Sequence, residues 1–323
     1  MNLLRLSPLI LSCLLFCCQK IAAQELEDAI DYRQQMRSFV IEISEAAKAE
    51  NSNFIVVPQN GIELILNTNK LPAIDYLDAI DAVGQEDLFY GYPEFDKLTP
   101  SADNIYLKKH LDFAKTNYKK ILVTDYCLAP EAIKHSYNLN EEKNYISFAA
   151  PRRELNLIPS SSIYNENKAD INNISEVKNF LYLLNYNEYS TKEELISELA
   201  FTNYDLIILD LFFNEKTFTS DEIQKLKKKK NGGDRLVIAY MSIGEAEDYR
   251  YYWGDTWHTE SPTWLVEENP HWKGNFKIAY WNADWKKLIY GNEDSYLNKI
   301  INSGFDGVYL DIIDAFQYFE AKK

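Results

Sequence analysis

Eight short runs rich in Val, Ile, Leu and Tyr recur along the chain, separated by amphipathic or charged stretches, and this alternation constrains the fold more than any other feature. The runs are Phe54–Val57, Asp87–Tyr90, Ile121–Tyr126, Tyr145–Ala149, Phe180–Leu184, Leu206–Leu211, Leu236–Ile243 and Gly307–Ile312. Continuous apolar runs of this length suit strands buried on both faces, and the charged stretches between them supply crossover helices. Helices are expected over Lys192–Ala200, Ser220–Lys229 and Trp285–Asn302, the first led by Ser190-Thr191 and Glu193-Glu194 as an N-terminal signal. Eight alternating units predict an α/β fold, a (β/α)8 TIM barrel in a single domain, with a doubly wound open sheet as the structural alternative. A ninth run, Lys277–Trp281, is assigned to a loop strand inside a long insertion.

The expected organisation places a secretory signal peptide at residues 1–23 and the barrel at 24–323. Residues 24–150 hold the first four units, 151–179 a connecting segment, and 180–323 the remaining four. The connector includes Pro159–Ser175, rich in Ser, Asn and acids and poor in apolar residues. The leader combines Arg5, the apolar run Leu9–Cys18 and an Ile21-Ala22-Ala23 cleavage site, too short a stretch to span a bilayer. A secreted or periplasmic location follows as an expectation. Lipid anchoring through Cys17 or Cys18 is the less favoured alternative, because Leu14, Leu15 and Phe16 stand where a lipobox wants small residues. Loss of the leader leaves Cys127 as the one cysteine, so no intramolecular disulfide is expected. His110, His135, His258 and His271 form no close pair, and neither a metal site nor a cofactor is expected.

Charge narrows the partners. The chain carries 34 Lys plus Arg against 49 Asp plus Glu, a net −15, and the leader's two cations would take it to −17 on removal. A surface this acidic repels nucleic acid and anionic lipid, so no nucleic-acid partner is expected. The mature chain is also expected to be a monomer without a transmembrane span. Aromatic residues make up 14% of the chain, a proportion that suits sugar stacking as well as core packing. The segment Tyr249–Gly274 concentrates Trp253, Trp257, Trp264 and Trp272 after a strand. It is either the wall of a substrate cleft or a loop packed on its own aromatics. Lys227–Lys230 is a basic run near a helix end, where cations complement the dipole, and is assigned no function.

In a parallel barrel, side chains at the carboxyl ends of the strands converge on one face. The polar residues there are mostly acids and amides: Gln59 and Asn60, Glu86 and Asp87, Asp125 and Tyr126, Arg152 and Arg153, Asn185, Asp210, Glu245, Glu247 and Asp248, Asp311 and Asp314. No nucleophile elbow or phosphate loop accompanies them. Carboxylates in this setting suit glycoside hydrolysis, in which one protonates the leaving oxygen and the other acts as nucleophile or base. For any single Asp or Glu at such a position, a helix N-cap is the commoner explanation.

The segments Leu236–Arg250 (LVIAYMSIGEAEDYR) and Gly304–Asp314 (GFDGVYLDIID) resemble the hallmark strands of glycoside hydrolase family 114, the endo-α-1,4-polygalactosaminidase-like TIM barrels. Val57–Gly61, Gln85–Tyr90 and Leu206–Phe212 resemble further strand motifs of its bacterial branch. In the usual family order the strand like Phe180–Leu184 comes first, and the strand like Gly307–Ile312 precedes a helix and the Pro-Gln-Asn-Gly strand. Here that helix and strand, Ala29–Gly61, stand at the amino terminus, which implies a circular permutation with Arg152–Lys178 as the new connection. Residues 24–50 are then expected as a helix beside Gly307–Ile312. The resemblance implies Asp311 and Glu86 as the catalytic carboxylates, with Glu86 as acid and Asp311 as nucleophile or base. It leaves Asp210, Tyr240, Glu245, Arg250, Asn60, Asp125, Tyr126 and Asp314 as substrate-binding candidates. The implied activity is a secreted hydrolase of α-linked galactosamine or N-acetylgalactosamine polysaccharide, a polycation where deacetylated. The alternative is a non-catalytic carbohydrate-binding or surface-interaction barrel on the same fold.

Overall fold

The computed structural model describes residues 30–323; the expected leader and its cysteines lie outside them. Strands β1 (Ile55–Pro58), β2 (Ala82–Glu86), β3 (Lys120–Tyr126), β4 (Ile146–Ala150), β5 (Phe180–Leu183) and β6 (Leu206–Asp210) are followed by the hairpin β7 (Phe212–Phe213) and β8 (Lys216–Thr217). Next come β9 (Leu236–Ser242), the short strands β10 (Glu245–Glu247), β11 (Leu265–Glu268) and β12 (Asn275–Ile278), and β13 (Gly307–Asp311). Parallel ladders join β1-β13-β9-β6-β5 and β2-β3-β4. A parallel bridge between Gln59 and Gly84 joins β1 to β2. At the remaining seam β4 lies beside β5, where Phe148 packs on Phe180 with ring centroids 5.8 Å apart. Eight parallel strands therefore close into a TIM barrel.

Packing follows from the sequence pattern. The helix Tyr32–Glu50 buries Met36, Phe39, Val40, Ile43 and Ala47, a stripe at helical spacing, and is capped by Asp31, whose Oδ1 accepts from Gln34 N at 2.9 Å. Each of the four larger side chains removed from water is worth about 1.5–3 kcal/mol. This helix lies between Tyr296–Asn302, which leads into β13, and Ile74–Ala79, which follows β1. Tyr280 and Arg33 pin it further, through Tyr32 O at 2.8 Å and the Glu320 carboxylate at 2.9 Å. The amino-terminal helix thus fills the ring position between the last strand and the first. Among the described residues the β4–β5 crossover has one helical piece, the short 3-10 turn Ile174–Glu176.

Three local expectations change. The second barrel strand is Ala82–Glu86, ahead of the apolar run Asp87–Tyr90, which forms the loop after it. The strand carries Gly84 and Gln85 because its neighbours supply the bulk, so an apolar-run criterion passes over it. The expected helix Trp285–Asn302 breaks at Gly291 into Ala283–Ile289 and Tyr296–Asn302, each with its own cap, Asn282 and Ser295. The helix begun at Ser220 stops at Leu226 rather than Lys229. Lys229 instead turns inward to Asp205, at 2.9 Å with both side chains fully buried. Asp205 also accepts from Asn167 and from Lys178 N, each at 2.9 Å, which ties the connecting segment to the amino-terminal end of β6. This is the stability face of a barrel, opposite its mouth. The ninth run is strand β12 at its start, paired antiparallel with β10 and β11 over the mouth.

Candidate active site

Glu86 and Asp311 end β2 and β13, and β1 lies between them. One amide group of β1's continuation bridges the two acids: Gln59 Nε2 donates to Glu86 Oε2 at 2.9 Å and to Asp311 Oδ1 at 3.0 Å. Those two oxygens can therefore be no more than 5.9 Å apart. Glu86 also accepts from Asn60 Nδ2 at 3.2 Å and from the Tyr126 hydroxyl. Asp311 accepts from the Tyr240 hydroxyl at 2.9 Å and from Ile312 N at 2.8 Å. Each carboxylate thus has three donors aimed at it, which fixes its rotamer before any ligand arrives.

The backbone is strained at the same place. The residue after each site strand or its key side chain has a left-handed conformation: Asn60 at φ 61°, Asp87 at φ 55° and Ile312 at φ 58°. For β-branched Ile312 this costs on the order of 1–3 kcal/mol. The turn aims its N–H back at Asp311, so the strain buys the third donor. Asn60 Oδ1 accepts Glu86 N and Gln85 Nε2, both at 3.1 Å, locking β1's end to β2's.

Beneath the acids the barrel is filled by Tyr309, whose ring packs on Tyr182 with centroids 5.1 Å apart and whose hydroxyl reaches Gly84. A Cβ at Gly84 would stand 2.1 Å from that hydroxyl. Gly84→Ala is therefore expected to displace Tyr309 and β2, costing about 1–3 kcal/mol and lowering any activity that needs Glu86 in place. Thermal unfolding checks the first effect; wild-type stability in this variant would contradict it.

Electrostatics sets the pair apart from ordinary surface acids. Burial, and then the neighbouring Glu86 carboxylate, pushes Asp311 up to about 8. Burial likewise raises Glu86, with Asp87 adding to it and the Tyr126 hydroxyl working against it. Burial and the proximity of the two carboxyls both favour keeping a proton on the pair. Arg153, whose guanidinium stacks on the Tyr126 ring at 4.4 Å and pairs with Asp87 at 2.8 Å, pulls Glu86 toward ionisation. Asp314 pushes Asp311 the other way and is itself raised to about 6 by burial.

A cavity of about 290 Å³ opens beside Glu86 over the ends of β1 and β2. Among its lining residues are Asn60, Glu63, Glu86, Asp87, Asp103, Tyr106 and Asp314. Of the expected binding residues, Asn60 and Asp314 face this cavity, and Tyr126 and Tyr240 orient the two acids. Four others take different roles. Asp125 is buried away from the mouth, accepting from Phe89 N and Tyr90 N on one oxygen and from Ser136 and Asn140 of the following helix on the other. Its acceptor capacity is spent on holding a loop and a helix. Glu245 is buried in an ion pair with Lys277, opposite it in the β10–β12 ladder, and accepts from Asn269 at 2.8 Å. Asp210 receives Arg250 in a bidentate pair at 2.6 and 2.9 Å. Arg250 also donates to Glu247 at 2.6 Å, and burial of its charge is more than offset by the two acids. Gln59 and Arg153, at strand ends in the sequence, are the site members that charge and resemblance alone passed over; an amide and an arginine carry no signal until the strands bring them together.

The tryptophan segment packs mainly on itself. Trp253 meets Trp257, Trp257 meets Trp264 and Trp264 meets Trp285, with centroids 5.0–5.2 Å apart. Trp272 remains 63% exposed. Among the described residues no group of three or more His, Cys, Asp or Glu is arranged to hold a metal ion, and no helix is long and apolar enough to cross a membrane.

Comparison with known proteins places the second half of the chain. The model of glycoside-hydrolase family GH114 matches residues 164–323. An uncharacterized protein of Methanocaldococcus jannaschii is 43% identical over 157 residues, 47% of this chain and 42% of that protein. Uncharacterized proteins of Thermotoga maritima and Deinococcus radiodurans are 36% identical over 122 residues and 38% over 115, covering 36% and 34% of their lengths and 38% and 35% of this chain. The chain therefore spans less than half the length of these curated relatives. Among solved structures, an active-site mutant of Rhizomucor miehei β-1,3-glucanosyltransferase in complex with laminaritriose is similar with a TM-score of 0.32 at 10% identity, over 80% of this chain and 86% of that one. The matched residues include Asp311, Tyr240, Asp210 and Arg250, whereas Glu86 and Gln59 precede them. Through residues 164–323, the chain belongs to glycoside-hydrolase family GH114.

Proposed function

We propose that this protein is a glycoside hydrolase that cleaves an α-linked galactosamine- or N-acetylgalactosamine-containing polysaccharide with Glu86 and Asp311. The observation that carries the reading is the Gln59 amide, which holds two part-buried carboxyls with their nearest oxygens no more than 5.9 Å apart. Carboxyls about 5–5.5 Å apart suit retention, and roughly 6.5–9.5 Å suits inversion with a water between them. In the retaining course Asp311 attacks the anomeric carbon while Glu86 gives its proton to the departing glycosidic oxygen, leaving a glycosyl ester on Asp311. Glu86, now ionised, takes a proton from the water that breaks that ester. Glu86 is given the acid's part because it opens on the cavity through which the leaving group and that water must pass. Positive charge developing at the anomeric carbon favours ionised Asp311, and the proton of the pair then rests on Glu86.

The substrate assignment follows from charge. Glu63, Glu86, Asp87, Asp103 and Asp314 line the cavity, and its lining includes no Lys or Arg among the described residues. Such a wall favours a sugar bearing a free amine over a uronic acid. The leader expected at residues 1–23 would put this activity outside the cytoplasm.

Activity is expected to fall as pH rises above about 8, where the carboxyl pair loses its proton and Glu86 has none to give the departing oxygen. A kcat/KM profile flat to pH 10 would contradict it. The experiment that tests the function is reducing-end release from α-1,4-linked galactosamine polymers, free and N-acetylated, alongside binding. Release from the amine form that weakens with salt is expected. Binding without release from any polymer would instead favour a non-catalytic carbohydrate-binding barrel.

The permuted chain order is proposed on three further supports. The family match begins at residue 164, just before β5. The β4–β5 seam has no ladder in the sheet order, and its crossover is the one built without an α-helix among the described residues. The helix Tyr32–Glu50 stands where a helix after β13 would stand.

A further inference from the structure

On the other side of the carboxylates from the acidic cavity lies a second and larger one, of about 440 Å³, over the end of β6. Its position follows from the strand order. Asp311 ends β13 and is held by Tyr240 of β9, and Tyr240 stands opposite Asp210 at the end of β6. Two strand spacings, roughly 10 Å, separate the cavity's base from Asp311, about the reach of two sugar rings.

The walls are aromatic and fixed. Tyr249 is 60% exposed and Tyr251 41%, yet the hydroxyl of each is tied down, to Glu247 at 2.6 Å and to Asp294 O at 3.0 Å. Phe212 packs against Tyr251 with centroids 5.7 Å apart. The Arg250 guanidinium lies 5.5 Å from the Phe212 ring centroid and 5.2 Å from that of Tyr249. Asp210 and Glu247 hold Arg250 in that place. Arg250 is thus a strut for two rings, not a free cation waiting for an anion. Rings anchored at their hydroxyls present an apolar face at small entropic cost, which is what stacking on a pyranose ring requires. Asn214, Trp253 and the acids Glu215, Asp248 and Asp255 complete the lining, so with Arg250 neutralised the cavity is net acidic.

We propose that this cavity is a distal saccharide subsite, in which Tyr249 and Tyr251 stack on a hexosamine unit of an extended chain roughly two rings from the cleaved bond. The proposal rests on the glycosidase reading of Glu86 and Asp311 and adds to it the geometry of chain binding. With the acidic cavity over β1 and β2 on one flank and this one over β6 on the other, a polymer crosses the whole mouth and is cut in its interior.

The test uses the full chain and two readouts. Cleavage of α-1,4-galactosamine oligomers of increasing length is measured for the wild type, Tyr249→Ala, Tyr251→Ala and Tyr251→Phe. Retardation of the same proteins in native gels containing the long polymer is measured on an Asp311→Asn background, where turnover plays no part. Each alanine variant should lose about tenfold in kcat/KM on long chains, leave the shortest cleaved oligomer unchanged, and migrate faster in the polymer gel. Tyr251→Phe loses the hydroxyl tie but keeps the ring packed on Phe212 and Tyr296, and should fall much closer to the wild type than to Tyr251→Ala in both. Equal loss at every length, or unchanged retardation in both alanine variants, overturns the subsite. If the wild type cleaves no oligomer, the glycosidase reading fails and the gels still decide: retardation lost in the alanine variants supports the subsite, and retardation unaltered or absent in the parent overturns it.

Discussion

Asp311→Asn is expected to lower reducing-end release by about 10²–10⁴-fold, and in the same protein to raise stability at neutral pH. Loss of turnover follows because an amide cannot attack the anomeric carbon. The gain in stability follows from the sign of the shift at Asp311. An acid raised by folding, here to about 8 from an ordinary value of 3.8, keeps its proton in the folded chain over a range where the unfolded chain has lost it. Its contribution to stability is therefore most favourable below about pH 4 and declines as pH rises to about 8. Asparagine has no such titration. The variant's melting temperature should exceed that of the wild type by a margin that widens between those limits and closes in acid. Burial of like charges for catalysis at the expense of stability is the general trade at such sites. Full activity in Asp311→Asn would end the two-carboxylate proposal, and an unchanged pH–stability curve would show that folding does not raise Asp311.

The second large effect lies at the opposite end of the barrel. Lys229→Met is expected to destabilise the protein by about 3–5 kcal/mol, measured by urea unfolding, with turnover per folded molecule unchanged. The ammonium and the Asp205 carboxylate are both fully buried and 2.9 Å apart. Removing the lysine leaves an uncompensated charge that also anchors Asn167 and Lys178 of the connecting segment. A conservative Lys227→Met, which removes a partly exposed pair with Asp306, should cost far less. Equal effects of the two substitutions would contradict the assignment.

These two sites differ in how much of them could be read beforehand. Asp311 ends an apolar strand in a long motif, and both its strand and its face of the barrel follow from the pattern of hydrophobic runs. Lys229 sits in a row of four lysines that looks like a solvated helix end. Nothing local distinguishes it from its neighbours, because its burial depends on Asp205, which tertiary packing alone brings to it. The strand Ala82–Glu86 was hidden for a related reason. Its glycine and amide are compatible with a barrel interior only because Tyr309 fills the space from two strands away. Asp125 and Glu245 passed as mouth residues because strand-end position does not say which way a side chain points. Their partners, Ser136 and Asn140 for one and Lys277 for the other, settle it.

The sequence by itself determined the fold class, the order of the alternating units, the acidity of the mouth and the two carboxylates that head the catalytic proposal, since each of these is encoded in periodicity, in net charge or in contiguous motifs. Tertiary structure alone decided that Gln59 spans the two acids, that Tyr126 and Tyr240 each claim one of them, that Arg250 props aromatic rings, and that a second cavity opens beyond β6. Hydrogen bonds between strand ends, as between Gln59 and Asp311 at a separation of 252 residues, depend on barrel closure, and no local pattern records which side chains closure will bring within 3 Å of one another.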